Sequence, residues 1–81
     1  MYGNLKQDIS IGQNLKSLRK ATGYTQEQAS AKIELLGLPI TSDILAKIEQ
    51  GRYSIRISVL LAMKQIYKVD SFDSFFKGLS L

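Results

Sequence analysis

The stretch TQEQASAKIELLGLPITSDILAKIEQG, residues 25–51, carries two helix starts and two helix stops. Thr25 followed three places later by Gln28 has the spacing of a capping box, in which each side chain closes a free main-chain N–H of the other. Ala29, Ile33 and Leu36 then form an apolar stripe at helical spacing, and Gly37 and Pro39 end the run. Thr41 or Ser42 is placed to cap a further helix reaching Gln50, with Ile44 or Leu45 and then Ile48 pointing inward and Gly51 closing it. Two helices joined by a short turn are predicted. Helical hairpins are common in all-helical domains, so the pair alone says little about function.

Working outward, Ser10 and Gln13 repeat the capping-box spacing upstream. Ile11, Leu15 and Leu18 follow at i, i+4, i+7 until Gly23 offers a left-handed stop, which predicts a first helix over about residues 11–22. Residues 1–9 include Gly3 and show no clear period; they read as a loose N-terminal arm ahead of a domain over residues 10–81. Downstream, Arg52 to Ile55 reads as a loop. Ile57, Leu60, Leu61, Met63 and Ile66 predict a mostly apolar fourth helix ending near Lys68. The run SIRISV has a short alternation suited to a strand, but its helical neighbours argue against one. Asp70 or Ser71 caps a fifth helix with Phe72, Phe75, Phe76 and Leu79 on one face. The fold class expected is all-α, a compact five-helix domain.

Composition narrows the function classes. The 81 residues suffice for one small core and include no Cys and no His, so the usual nucleophile, general base and metal ligands are missing. Neither an enzyme nor a metal or cofactor site is expected, and a binding protein is. The formal charge of +4 favours a polyanionic partner. Every basic residue except Lys77 lies before residue 69, whereas Asp70 and Asp73 lie after it, so the positive field belongs to the earlier part. No apolar run approaches the roughly 20 residues of a membrane span, and MYGNLKQDIS lacks the features of a secretion signal. A cytoplasmic location with no membrane partner is expected.

Taken together, Leu18, Arg19 and Lys20, then Gly23 to Gln28, then Leu45 to Gly51 resemble the phage-repressor and Cro superfamily, the XRE family, over about residues 11–79. The segment ELLGLPIT resembles a branch in which the second helix is lengthened. The resemblance implies a lambda-repressor-like helix-turn-helix domain bound to double-stranded DNA, with the second helix across the backbone and the third in the major groove. It implies a transcriptional regulator, a repressor at an operator. Carried over by position, it places Gln26 on a phosphate, and Thr41, Ser42, Asp43 and Lys47 toward base edges. Ile44 falls either on a thymine methyl or in the core. Arg52 and Arg56 match backbone-contact positions, Tyr53 can donate to a phosphate, and Lys16 and Lys20 can extend the track. Arg19 and Glu49 match a partly buried ion pair with a structural role.

The sequence departs from that pattern in an extra turn's worth of residues between Gln26 and Ser42, and in Ala29 and Ser30 where a leucine and an alanine are usual. Asp43 puts a carboxylate near the reading face. Arg56 and Ile57 stand where a polar cap for the fourth helix belongs, leaving Ser54 as the substitute. Phe72, Phe75 and Phe76 suit a core cap, a homodimer face or a membrane-surface anchor, of which a core cap is the default. The alternative function is a protein-interaction module on the same fold, such as a small antitoxin or a modulator of the transcription machinery.

Overall fold

A computed structural model describes residues 4, 5, 7 and 9–81. Helix α1 spans Gly12–Thr22, α2 Gln26–Leu35, α3 Ser42–Glu49 and α4 Ile57–Ile66. Two-residue strands β1, Asn4–Leu5, and β2, Ile55–Arg56, pair antiparallel, with Asn4 opposite Arg56 and Leu5 opposite Ile55. The chain ends with a 3-10 helix over Phe72–Phe76. Among the described residues the fold is all-helical and compact apart from this small ladder, with four α-helices where five were expected.

One apolar cluster holds the elements together. Leu15 of α1, Ala29 and Ile33 of α2, Leu45 and Ile48 of α3, Val59 and Met63 of α4, and Phe75 of the 3-10 helix are all essentially inaccessible to water. At about 1.5–3 kcal/mol for each large apolar side chain buried, this cluster is the main favourable term. Gly12 lets α1 approach closely, because a Cβ there would collide with the main-chain carbonyl of Glu49. That contact sets the first turn of α1 directly on the last turn of α3.

Local signals largely decide the helix ends. The Thr25 hydroxyl accepts from the Gln28 N–H at 3.1 Å while the Gln28 side-chain Oε1 accepts from the Thr25 N–H at 2.9 Å, the reciprocal box expected. Thr41, not Ser42, caps α3 by accepting from the Ile44 N–H at 3.2 Å. Gly23, at φ +84°, turns the chain out of α1.

Several expectations are corrected. The Ser10 and Gln13 box does not form: the N-cap of α1 is Ile11, with no side-chain cap. Gln7 instead accepts from the Ile11 N–H at 3.1 Å. The segment expected to be a loose arm therefore makes specific bonds at residues 4, 5 and 7; residues 1–3, 6 and 8 of that arm lie outside the described residues. Ile55 and Arg56, expected in a loop and then a helix start, are a strand, because β1 offers a partner that no local pattern reveals. Leu36 is exposed; α2 stops at Leu35, and the chain turns at Gly37 so that Ile40 is buried instead. Ser54 does not cap α4, whose N-cap is Arg56 without a side-chain bond.

The fifth segment is 3-10 because it is cut short at both ends. Ser71 caps it by accepting from the Asp73 N–H at 3.1 Å, and Gly78 at φ +78° follows it. The Asn14 amide donates to the carbonyls of Phe75 and Lys77 at 2.9 and 3.0 Å, meeting acceptors that a longer helix would have filled internally. Of the expected aromatic face only Phe75 is buried, with the Phe72 ring tilted against it at 5.9 Å.

Candidate nucleic-acid interface

Helix α3 is amphipathic in a way that exposes a narrow polar ridge. At about 100° per residue, Leu45, Ile48 and Glu49 fall on one side and Asp43, Lys47 and Gln50 on the other. The first three are buried and the second three exposed. Ser42 is half-buried at the start of the ridge, and Ile44 is half-buried on its flank. The Thr41 hydroxyl is exposed, but its oxygen serves the cap. Asp43 sits in the first turn of α3, where a carboxylate also complements the positive end of the helix dipole.

A shallow depression borders this ridge on each side. One, of about 450 Å³, is lined by Ser10, Gln13, Lys16, Gln26, Ala46, Glu49 and Gln50. The other, of about 300 Å³, lies between α3 and the β2 region and includes Ile44, Ile48, Tyr53, Ser54 and Arg56. Candidate phosphate-facing groups therefore stand on both flanks of α3: Lys16 and Gln26 on one, Tyr53 and Arg56 on the other. Lys20 is exposed on α1.

The ridge is held from beneath by a buried polar junction. Arg19 Nε donates to Glu49 Oε2 at 2.7 Å and Arg19 Nη2 to Glu49 Oε1 at 3.0 Å, both groups being buried. Arg19 Nη1 donates to the Tyr24 carbonyl at 2.8 Å, in the turn between α1 and α2. The hydrogen bonds with Glu49 raise the Arg19 pKa above its ordinary value, against the opposing effect of burial. Gln26 Nε2 donates to the same Glu49 Oε1 at 3.0 Å. One carboxylate thus ties α1, α2 and α3 together at the end of α3. The link from Gln26 was not anticipated; its amide keeps one N–H and its oxygen for an outside partner.

Beyond α3, Gly51 at φ +76° reverses the chain and packs against Ser10. The Arg52 N–H donates to the Lys47 carbonyl at 2.9 Å, and its guanidinium donates to Gln50 Oε1 at 2.8 Å. The Lys47 ammonium lies 5.9 Å from the centre of the exposed Tyr53 ring, so both side chains occupy one patch. Arg56 is exposed within β2. Sequence reasoning missed Gln7, whose Nε2 donates to groups more than forty positions away, and Gln50, which shares the Gln26 depression and was read only as a helix end.

The family model described as a helix-turn-helix domain matches residues 10–72. The chain belongs to the helix-turn-helix domain family. The match begins just before α1 and ends on the first residue of the 3-10 helix, so all four α-helices and β2 of this helix-turn-helix protein lie inside it. No curated protein and no solved structure matches the chain significantly. Membership points to DNA binding in the service of transcription regulation. No helix among the described residues is long and apolar enough to cross a membrane.

Proposed function

We propose that the protein is a cytoplasmic, non-enzymatic regulator of the XRE and Cro type, with a lambda-repressor-like fold, that represses transcription by occupying a specific double-stranded DNA operator. The observation that carries this reading is the exposed ridge of α3 with Lys16 and Gln26 on one flank and Tyr53 and Arg56 on the other. A major groove has a phosphate backbone on either side, so a helix within it needs polar ends outward and phosphate partners left and right. Thr41, Ser42, Asp43 and Lys47 read base edges; Asp43 accepts from a cytosine amine, and Lys47 donates to a purine. Gln26, Arg52, Tyr53 and Arg56 hold the backbone, and Arg19 with Glu49 sets the angle at which α3 enters.

Selection from a random duplex pool, followed by anisotropy titration over a salt series, tests this. One enriched motif is expected, with affinity falling by about 0.9 log units per log unit of salt for each phosphate neutralised. Lys47→Ala should reduce discrimination between the motif and its variants by about tenfold, with a smaller loss on random duplex. A two-fold symmetric motif would indicate a homodimer on paired half-sites. Failure to enrich any motif at low salt would end the operator reading.

A protein-interaction module is the second reading, and one observation favours it. Leu35 is 85% exposed, and beside it Leu36 and Leu61 border a depression of about 330 Å³. Grouped exposed apolar side chains of this kind can serve as a protein-contact surface. Binding on this reading would survive moderate salt and Lys47→Ala.

A further inference from the structure

Gln7 joins three separate parts of the chain. Its Nε2 donates to the main-chain oxygen of Tyr53 at 2.6 Å and, over a longer distance of 3.3 Å, to that of Ile48. Its Oε1 accepts from the Ile11 N–H at 3.1 Å and from the Ser10 hydroxyl at 3.2 Å. Both donors and both acceptor sites of the amide are thereby filled. Just before it, Asn4 pairs with Arg56 and Leu5 with Ile55. Residues 4, 5 and 7 thus accompany the segment 53–56, which carries two of the proposed phosphate contacts and follows a third, Arg52.

We propose that Gln7 is a positioning residue, whose amide fixes the 52–56 segment in the shape that presents Arg52, Tyr53 and Arg56 to DNA; this rests on the operator reading above. Arginine side chains are long, and a guanidinium meets a phosphate at low entropic cost only if its main-chain root is held. Arg52 is rooted by its N–H on Lys47. The next main-chain group along the segment with a partner outside it is the Tyr53 carbonyl, and that partner is Gln7. A primary amide suits the task because it accepts and donates at once. It closes the free N–H at the start of α1 with one atom and the loop carbonyl with the other; a carboxylate could only accept and an ammonium only donate.

The test uses the full chain with Gln7→Ala and Gln7→Glu. The glutamate keeps the acceptor for Ile11 and Ser10 and removes both donors, separating the cap of α1 from the hold on the loop. Amide hydrogen exchange over residues 53–56 should accelerate about tenfold or more in both variants, while that of the α3 core stays within about twofold of the unaltered protein. On the selected duplex, both should bind about tenfold more weakly at 0.1 M salt, and the salt slope should become shallower by about one to two phosphate contacts. A loop that stays protected in Gln7→Glu overturns the proposal, as does a loosened loop with unchanged affinity and slope. If the unaltered protein itself binds no duplex, the operator reading fails first and takes this proposal with it, a result distinguishable because it appears before any substitution.

Discussion

The two ends of α2 are opposites: one is tied to α3 and its neighbours by directional bonds, the other leaves apolar side chains in solvent. At the start, Thr25 and Gln28 close each other's main-chain donors, and Gln26 reaches the carboxylate of Glu49, which Arg19 already grips with two nitrogens. At the far end stand Leu35 and Leu36, both exposed, with Leu61 of α4 nearby. The first end is directional: hydrogen bonds of fixed length permit one angle between helices. The second is not, since apolar contact accepts many arrangements of similar energy. A buried ion pair adds little net stability after desolvation, so the polar end chiefly sets geometry, while the cluster around Leu45 and Ile33 supplies the favourable free energy.

The hardest blow to that contrast is Glu49→Ala. It would leave the buried Arg19 guanidinium with both its bonds to Glu49 gone, and a loss of about 3–5 kcal/mol in urea unfolding is expected. Replacing both partners, Arg19→Met with Glu49→Leu, should return most of that loss while still weakening DNA binding, because the pair orients α3 more than it stabilises it. If Glu49→Ala costs less than about 1 kcal/mol, the junction is not the fixed end described here.

A smaller effect is expected at Tyr67, which packs in the core and whose hydroxyl has no hydrogen-bond partner among the described residues. Burial, and after it the Glu49 carboxylate, push its phenol well above the ordinary range near 10, with Arg19 pulling the other way. The folded state therefore keeps a proton that the unfolded chain loses. Stability from this group is fully present below about pH 10 and drains away as the pH rises beyond it. Tyr67→Phe should raise stability by about 1 kcal/mol at neutral pH and flatten the alkaline limb of the thermal melting curve. A steeper alkaline limb in the variant would reverse the sign of the argument.

What was legible in the sequence follows the range of the interaction. The Thr25 and Gln28 box, the Thr41 cap, the stop at Gly23 and the Ser71 cap are formed by residues a few positions apart; the box and the stop could be read directly, and each cap was narrowed to two neighbouring residues, Thr41 or Ser42 and Asp70 or Ser71. The Ser10 and Gln13 box looked equally sound but does not form: the Ser10 hydroxyl accepts from the Gly12 N–H and donates to Gln7, which is itself anchored more than forty positions away. The β1 and β2 ladder escaped for the same reason: two residues carry no period, and their partner is remote. Leu36 was assigned inward by a period that ended one residue earlier than the arithmetic assumed. For the interface, the exposed positions Asp43 and Lys47 follow from the helical period, whereas the engagement of Gln26 by Glu49 depends on how three helices meet.

The gentlest test addresses the open end of α2. Leu35→Gln combined with Leu61→Gln replaces two exposed apolar side chains by one of good helix propensity and little change in length. Because neither leucine is in the core, unfolding free energy should move by no more than about 0.5 kcal/mol for each substitution. Affinity for a single half-site should stay within about twofold, since the patch is separate from the ridge of Asp43 and Lys47. Full two-fold sites add a sharper comparison. Loss of affinity there, with half-site binding intact, would make the apolar end a surface through which two copies meet, with its missing directionality supplied by the DNA beneath. Unchanged binding on both would leave the patch to a partner other than DNA or a second copy. A destabilisation beyond about 1 kcal/mol would mean that Leu35 and Leu61 contribute to the core after all, and the contrast between the two ends of α2 would dissolve.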